Sequence, residues 1–180
     1  TALEERTQIL LPDATFDTET PARKQVVILV LGEAARAANF SAYGYEKDTN
    51  PFTAKTNLTA LPIGLSCATN TISSTACILT HEGSAASSHT SQEPLPSYLT
   101  RQGIETIYRT NSAGPPPVTV TTRETTRDIA DRCGEAAECP QYKYDALLNW
   151  QLAEAIKASP SDRVFVTLHQ AGSHGPAYHK

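Results

Sequence analysis

A carboxylate and a cluster of hydroxyl groups are the side chains of this sequence best suited to chemistry. Glu33 follows the apolar run Val26–Leu31, with one glycine between them. The segment Cys67–Cys77 holds five hydroxyl side chains between its two cysteines. A carboxylate at a strand end and a hydroxyl that a metal ion can activate are the minimum for a metal-assisted nucleophile. Each segment alone is also typical of a solvated loop, in which Glu33 would pair with Arg36.

Two histidines form a third candidate group. His169 and His174 lie in the segment Leu168–Tyr178, which continues from the strand-like run Arg163–Leu168. A histidine in such a place can bind a phosphate, bind a metal ion or protonate a leaving group, and His174 is our candidate for that role. His169 is also compatible with a core position in which the backbone satisfies its ring.

The elements that must position these residues follow from short sequence patterns. Apolar or alternating runs predict three strands, which are Val26–Leu31, Ile104–Arg109 and Arg163–Leu168. Three helices are predicted between them, Thr71–Leu79, Pro94–Arg101 and Lys143–Ala158, and apolar residues at helical spacing indicate the last one. The unbroken apolar character of Val26–Leu31 predicts a central strand that is buried on both faces. This alternation predicts an α/β fold with a mainly parallel sheet, whose strand ends bind the ligand.

Composition excludes several classes of protein. The 180 residues suit one domain, and 39% of them are hydrophobic, which is enough for a core. The net charge of -4 offers no basic surface for nucleic acid. The longest apolar run, Val26–Leu31, is far shorter than a membrane span.

Three motifs resemble one known family, the phosphoethanolamine transferases. These are inner-membrane enzymes of Gram-negative bacteria that decorate lipid A and other envelope targets, and the family is linked to polymyxin resistance. The resemblance runs from about Val26 to the last residue, with the motifs in the family's order. The matching segments are Gly32–Arg36, Asn39–Ser41, Gly44–Tyr45, Asp48–Pro51, the nucleophile loop Cys67–Cys77 and the histidine motif Leu168–Tyr178.

The resemblance implies a fold and a location. We expect a three-layer α/β/α domain of the alkaline-phosphatase and sulfatase type. Residues 1–24 would be a linker, and residues 25–180 the N-terminal portion of a periplasmic catalytic domain. The family carries transmembrane helices before this domain, so the expected location is the periplasmic face of the bacterial inner membrane.

The resemblance also implies site residues and a reaction. Thr71 matches the family's nucleophile and would share a Zn²⁺ ion with Glu33, while His174 would complete the catalytic group. Phosphoethanolamine would pass from phosphatidylethanolamine to Thr71, and from there to an acceptor such as lipid A. Spacing alone does not separate Thr71 from the other hydroxyl residues of the loop, which are Thr69, Ser73, Ser74 and Thr75.

The sequence departs from the family pattern in three places. Ala34 stands where the family usually has threonine, and the segment Tyr108–Pro117 lacks the lysine that many members carry there. The family's Ser-Asp-His-Gly-Glu segment, which gives zinc an aspartate and a histidine, is not reached by Lys180, so we expect two ligands beyond it. Alternatives are a sulfatase, phosphatase or phosphoglycerol transferase of the same superfamily, or a catalytically empty envelope-binding fragment.

Four cysteines lie in two close pairs, Cys67 with Cys77 and Cys133 with Cys139. Four cysteines allow three pairings, and four reduced, buried cysteines in a cytosolic fold remain an alternative. The family resemblance implies two local disulfides, Cys67–Cys77 and Cys133–Cys139. Such disulfides are typical of an oxidising compartment such as the periplasm.

Overall fold

Four parallel strands form one sheet in the computed structural model, which describes residues 9–15, 23–62, 64–83, 92–112, 117–135, 138–141, 144–172 and 174. The strands are β1 (Gln25–Leu31), β2 (Glu105–Thr110), β3 (Thr122–Thr125) and β4 (Arg163–His169). Their order across the sheet is β1-β4-β2-β3, and every neighbouring pair is parallel. The predicted mainly parallel sheet is therefore confirmed, with β3 added to the three predicted strands.

The described residues form four α-helices: α1 (Thr71–Leu79) and α2 (Leu95–Arg101) between β1 and β2, and α3 (Thr126–Cys133) and α4 (Leu152–Ala158) between β3 and β4. Short 3₁₀ turns occupy Ala37–Asn39, Ser41–Tyr43, Thr53–Lys55 and Asp145–Asn149. The predictions of α1 and α2 are confirmed. α3 follows β3 at once, because the side chain of Thr125 and that of Asp128 cap its first turn reciprocally.

The prediction of one continuous helix over Lys143–Ala158 is wrong. A 3₁₀ turn covers Asp145–Asn149, and α4 starts only at Leu152. Between them Gln151 adopts a left-handed backbone conformation with φ 47°, which ends the helical path. Lys143 itself lies outside the described residues.

Helices cover both faces of the sheet. Ile107 and Tyr108 are neighbours in β2 and therefore point to opposite faces. On the face of Ile107, Val164 and Val166 of β4 pack together with Ile129 of α3, Leu152 of α4, and Leu147 and Leu148 of the turn before α4. The face of Tyr108 packs against Leu79 of α1. The predicted three-layer α/β/α arrangement is thus confirmed.

Strand β1 differs from its prediction. It lies at the edge of the sheet, and within the described residues it pairs only with β4. Three of its apolar side chains are about half exposed, namely Val27 at 59%, Ile28 at 49% and Val30 at 51%. The expectation of a central strand buried on both faces is therefore wrong for the sheet that the described residues form, because the hydrophobicity of one strand does not determine the order of the strands. Leu31, at the carboxyl end, is buried.

The segment that precedes the sheet is held by polar contacts. The carboxylate of Glu93 accepts a hydrogen bond from the backbone N–H of Leu11, and it pairs with Arg101 of α2. Arg101 also pairs with Asp13 and donates to the carbonyl of Leu11. In the described part of the chain, no helix has the length and apolar character needed to cross a membrane.

Candidate active site

The carboxyl ends of three strands, β1, β2 and β4, lie side by side at one end of the sheet, which we call the strand-end edge. In the parallel register, Leu31 of β1 and Thr110 of β2 both lie beside His169 of β4. Beyond the strands, the N–H of Gln170 donates to the carbonyl of Leu31 at 2.9 Å, and the N–H of Asn111 donates to the carbonyl of His169 at 2.9 Å. The segments after β1, β2 and β4 therefore leave the sheet side by side, and Glu33 is on the first of them.

Thr71 is placed by the start of α1. The side chain of Asn70 accepts a hydrogen bond from the N–H of Ser73 at 2.9 Å, which caps the helix. Thr71 is the first of the nine residues of α1, so its side chain lies at the positive end of the helix. Backbone N–H groups at such an end favour a bound phosphate.

The side chains of Glu33 and Thr71 are in direct contact. Oγ1 of Thr71 donates a hydrogen bond to Oε2 of Glu33 at 2.9 Å, and both residues are partly buried. Among the ion pairs of the described residues there is none between Glu33 and Arg36, so the alternative in which this loop carboxylate pairs with Arg36 does not hold. The structure thus brings the predicted carboxylate and the predicted nucleophile to one point.

The other hydroxyl groups of the loop have different surroundings. Thr75 is buried, and its hydroxyl donates to the carbonyl of Thr71. Ser74 donates to the carbonyl of Ala68 at 2.8 Å and also contacts Ser66. Thr69 is exposed. Of these hydroxyl groups in the described structure, that of Thr71 is the one bonded to the Glu33 carboxylate.

Two disulfides are present, and both predicted pairings are confirmed. Cys67–Cys77 ties the loop before α1 to the body of the helix, with 6.6 Å between the Cα atoms. Cys133–Cys139 ties the end of α3 to the following segment, with 5.8 Å between the Cα atoms. The first disulfide encloses Thr71 and so restricts the loop that carries it.

His169 is a buried residue of the sheet. Its Nδ1 lies 3.2 Å from the hydroxyl of Tyr108, and the two rings meet edge to face. Burial lowers the pKa of His169 below its ordinary value of 6.5, although the nearby carboxylates of Glu33 and Asp145 oppose this shift. Burial also raises the pKa of Tyr108 to about 12. His169 is therefore a core histidine whose neutral form is favoured by burial, and its described ring contact is with the side chain of Tyr108.

His174 is exposed, and its backbone N–H donates to the carbonyl of Ala171 at 3.0 Å. This hydrogen bond joins His174 to the segment that follows β4. Among the hydrogen bonds of the described residues, none joins the imidazole of His174 to Glu33 or Thr71. The predicted catalytic role of His174 stays a prediction.

A metal ion would find two oxygen donors here. The carboxylate of Glu33 and the hydroxyl of Thr71 are 2.9 Å apart and can serve one small cation, and zinc accepts such oxygen ligands. Across the described ranges, no group of three or more His, Cys, Asp or Glu side chains stands close enough to hold a metal ion. The residues present thus fit part of a zinc site, and a catalytic zinc normally has three protein ligands.

Asp145 and Asn111 are two polar residues at this end of the sheet for which the sequence predicted no role. Asp145 accepts hydrogen bonds from the side chain of Asn111 at 2.8 Å and from the N–H of Ala171 at 2.9 Å. The predicted helix over residues 143–158 placed Asp145 in its first turn, with no partner. Its partners lie 34 and 26 positions away, so local spacing gives no signal for them.

Comparison with known proteins gives a consistent result. The profile of the family described as Sulfatase matches residues 25–180. The chain is 35% identical over 155 residues to "Phosphoethanolamine transferase EptA" of Helicobacter pylori, a match that covers 84% of this chain and 29% of that protein. The chain thus spans less than a third of this curated relative.

Solved structures agree with the sequence match. The C-terminal periplasmic domain of phosphoethanolamine transferase EptC from Campylobacter jejuni is similar with a TM-score of 0.71 and 29% identity, over 88% of this chain and 48% of that one. The soluble domain of lipooligosaccharide phosphoethanolamine transferase A from Neisseria meningitidis gives a TM-score of 0.73 and 25% identity, over 89% and 48%. The motif resemblance is therefore confirmed by independent comparisons, and so is the expected fold.

Proposed function

The chain belongs to the sulfatase family, and we propose that within it the complete protein transfers phosphoethanolamine from phosphatidylethanolamine to an envelope acceptor such as lipid A. The proposal rests on the contact between Thr71 and Glu33 at the strand-end edge. It is supported by relatives that carry the name of this activity.

The arrangement of Thr71 supports a role as nucleophile. A threonine hydroxyl is a poor nucleophile at its ordinary pKa and needs a base or a metal ion beside it. The carboxylate of Glu33 accepts the hydroxyl hydrogen at 2.9 Å. The N–H groups of the first turn of α1 lie beside the same hydroxyl and can stabilise negative charge on a phosphate that approaches it.

We propose a reaction in two displacements. In the first, Oγ1 of Thr71 forms a bond to the donor phosphorus, the bond from phosphorus to the glycerol oxygen of the lipid breaks, and diacylglycerol leaves. The hydroxyl proton departs along the hydrogen bond to Glu33, and His174 gives a proton to the leaving oxygen. In the second, an acceptor hydroxyl attacks the phosphorus and gives its proton to His174, while Thr71 recovers the proton held by Glu33 as its bond to phosphorus breaks.

Glu33 and Thr71 would hold a zinc ion in this scheme. When bound, zinc lowers the pKa of the threonine hydroxyl and neutralises charge on the phosphoryl oxygens. Further ligands would come from outside the described residues. The site would face the periplasm, next to the inner membrane, because both lipid substrates are envelope components. A transmembrane region preceding the domain would keep it there.

Detection of the covalent intermediate is the direct test. The complete protein is mixed with phosphatidylethanolamine that carries an isotope in its headgroup, and the protein is then digested and analysed by mass spectrometry. We expect a phosphoethanolamine adduct on Thr71 and none in the Thr71→Ala variant. Thr69→Ala is the matched control, because Thr69 lies in the same loop but is exposed.

The outcomes separate the alternatives. Transfer that is lost in Thr71→Ala and kept in Thr69→Ala supports the assignment, and an adduct on Ser73 or Ser74 overturns it. Hydrolysis of a sulfate or phosphate ester without any transfer of the lipid headgroup would point instead to a sulfatase or phosphatase, which the family name also admits.

A further inference from the structure

Asp145 links segments that follow two different strands. Its Oδ1 accepts one hydrogen bond from Nδ2 of Asn111 at 2.8 Å and another from the backbone N–H of Ala171 at 2.9 Å. Asn111 comes directly after β2, and Ala171 comes two residues after β4. A single carboxylate oxygen therefore holds the strand-end segments of both central strands.

The amide of Asn111 is fixed on its other side as well. Its Oδ1 accepts a hydrogen bond at 3.1 Å from the hydroxyl of Thr126, the buried first residue of α3. Rotation of this amide by half a turn would place its oxygen against the Asp145 carboxylate, which only accepts, and the hydrogen bond to Asp145 would be lost. The position of the Asp145 carboxylate is thus anchored to the core through α3.

The absence of a side chain at Gly172 is independent evidence for the position of the Asp145 carboxylate. A Cβ atom added at Gly172 would lie 2.8 Å from Oδ2 of Asp145, closer than real Cβ contacts come. The atoms it would meet within 4 Å both belong to the Asp145 side chain. Glycine at position 172 therefore leaves the space that the Asp145 carboxylate occupies.

The segment held by Asp145 runs between the reaction centre and His174. The N–H of Gln170 is bonded to Leu31, two residues before Glu33. The carbonyl of Ala171 accepts the N–H of His174 at 3.0 Å, so this carbonyl fixes the backbone of His174. The backbone N–H of the same residue, Ala171, donates a hydrogen bond to Asp145.

We propose that Asp145 is a positioning residue for the transfer reaction, which holds the turn carrying His174 at the edge where Thr71 meets Glu33. This inference rests on the proposed function. The carboxylate makes no contact with the Thr71–Glu33 pair in the described structure, so it acts through the turn. Its loss should leave donor binding intact and slow the step in which His174 moves a proton.

Substitutions at position 145 separate a positioning role from a merely structural one. In the complete protein, Asp145→Ala removes the acceptor, whereas Asp145→Asn keeps an oxygen that can accept both hydrogen bonds. We expect kcat to fall at least tenfold in Asp145→Ala, with KM for phosphatidylethanolamine changed less than threefold, and Asp145→Asn to stay within threefold of the parent. Equal activity per folded molecule in all three proteins would overturn the proposal.

A second pair of variants uses the contact with Gly172. Gly172→Ala in the parent protein should lower kcat about tenfold, because its new methyl group would clash with the Asp145 carboxylate and displace it. In the Asp145→Ala background the methyl group has no such neighbour, so the same substitution should lower kcat less than twofold further. A Gly172→Ala effect of equal size in both backgrounds would show that the two residues are not coupled and would refute the proposal.

Hydrogen exchange separates failure of this inference from failure of the proposed function. The amide of Ala171 should exchange at least tenfold faster in Asp145→Ala than in Asp145→Asn, whether or not the protein transfers phosphoethanolamine. A parent protein without transfer activity, but with this difference in exchange, would refute the proposed function and retain the role of Asp145 in holding the turn. An active parent protein with unchanged exchange in Asp145→Ala would refute that role of Asp145 alone.

Discussion

Thr71 and Glu33 lie 38 positions apart in the sequence, and their side chains are joined by a hydrogen bond of 2.9 Å. The bond connects the first residue of α1 with the loop after β1. Two features meet there that no single segment supplies, a carboxylate and the positive end of a helix. The chemistry that we propose depends on this juxtaposition, because a hydroxyl and a phosphate must be activated at one point.

The first prediction concerns the charge on Glu33. Glu33→Gln keeps an oxygen that can accept from Thr71 but removes the negative charge. We expect transfer by the complete protein to fall at least about 100-fold, the size of effect seen when a group that stabilises a transition state is removed. Bound zinc, measured by elemental analysis of the purified protein, should fall in parallel.

The matched control for this prediction is Glu46→Gln, which neutralises an exposed carboxylate in the segment between β1 and α1. It should leave both activity and zinc content unchanged. A Glu33→Gln protein with full activity and full zinc content would remove Glu33 from the reaction.

The second prediction compares the two disulfides. Replacing Cys67 and Cys77 together by serine should lower the free energy of unfolding by about 2–3 kcal/mol and also lower kcat, because this bridge encloses Thr71. Replacing Cys133 and Cys139 should cost a similar stability but leave kcat per folded molecule unchanged. Chemical denaturation and transfer assays measure the two quantities. Peptide mapping of the parent protein that found crossed pairs would contradict both pairings.

The third prediction concerns the buried ion pair that supports the turn of Asp145. Arg109 and Glu124 are paired at 2.8 Å with side chains 2% and 9% exposed, and Arg109 also donates to the carbonyls of Leu148 and Trp150. Glu124→Ala leaves a buried positive charge without its partner, so we expect a loss of about 3–5 kcal/mol in the free energy of unfolding.

Arg132 supplies the control, because it pairs with the same carboxylate but its side chain is 50% exposed. Water screens such a pair, and Arg132→Ala should cost about 1 kcal/mol or less. Denaturant titration of the two variants measures the difference. Equal losses would mean that burial does not decide the strength of this cluster.

Local sequence patterns predicted the parts of the site that depend on neighbouring residues. The apolar run before Glu33 predicted β1, and the helix that begins at Thr71 was predicted from its own segment. Both features use contacts within a few positions. Thr71 among five hydroxyl groups was chosen by resemblance, and the structure adds the contact with Glu33 that spacing could not supply.

The wrong predictions came from features that depend on distant parts of the chain. β1 was expected at the centre of the sheet because its apolar run is continuous, yet among the described strands it pairs only with β4 and lies at the edge. Leu147, Leu148 and Leu152 pack into one core cluster even though the chain bends between them, so their helical spacing concealed the break at Gln151.

The last prediction uses the buried imidazole of His169. Burial holds the pKa of His169 below 6.5 in the folded protein, whereas the ring titrates near 6.5 in the unfolded chain. Between these two pKa values the unfolded chain binds more protons than the folded protein. This residue's contribution to stability is therefore complete above pH 6.5 and declines as the pH falls toward the pKa of the folded state, by at most about 1.4 kcal/mol per pH unit.

Denaturation of the complete protein at several pH values from 7.5 to about 5.5 measures this slope. His169→Asn cannot titrate there but keeps an oxygen near the hydroxyl of Tyr108, so the variant should be less stable at every pH and show a flatter dependence below pH 6.5. The exposed His81 provides the comparison, since His81→Asn should keep the parent slope. If His169→Asn keeps that slope too, another group causes the acid sensitivity, because a buried neutral histidine must take up a proton only when the protein unfolds.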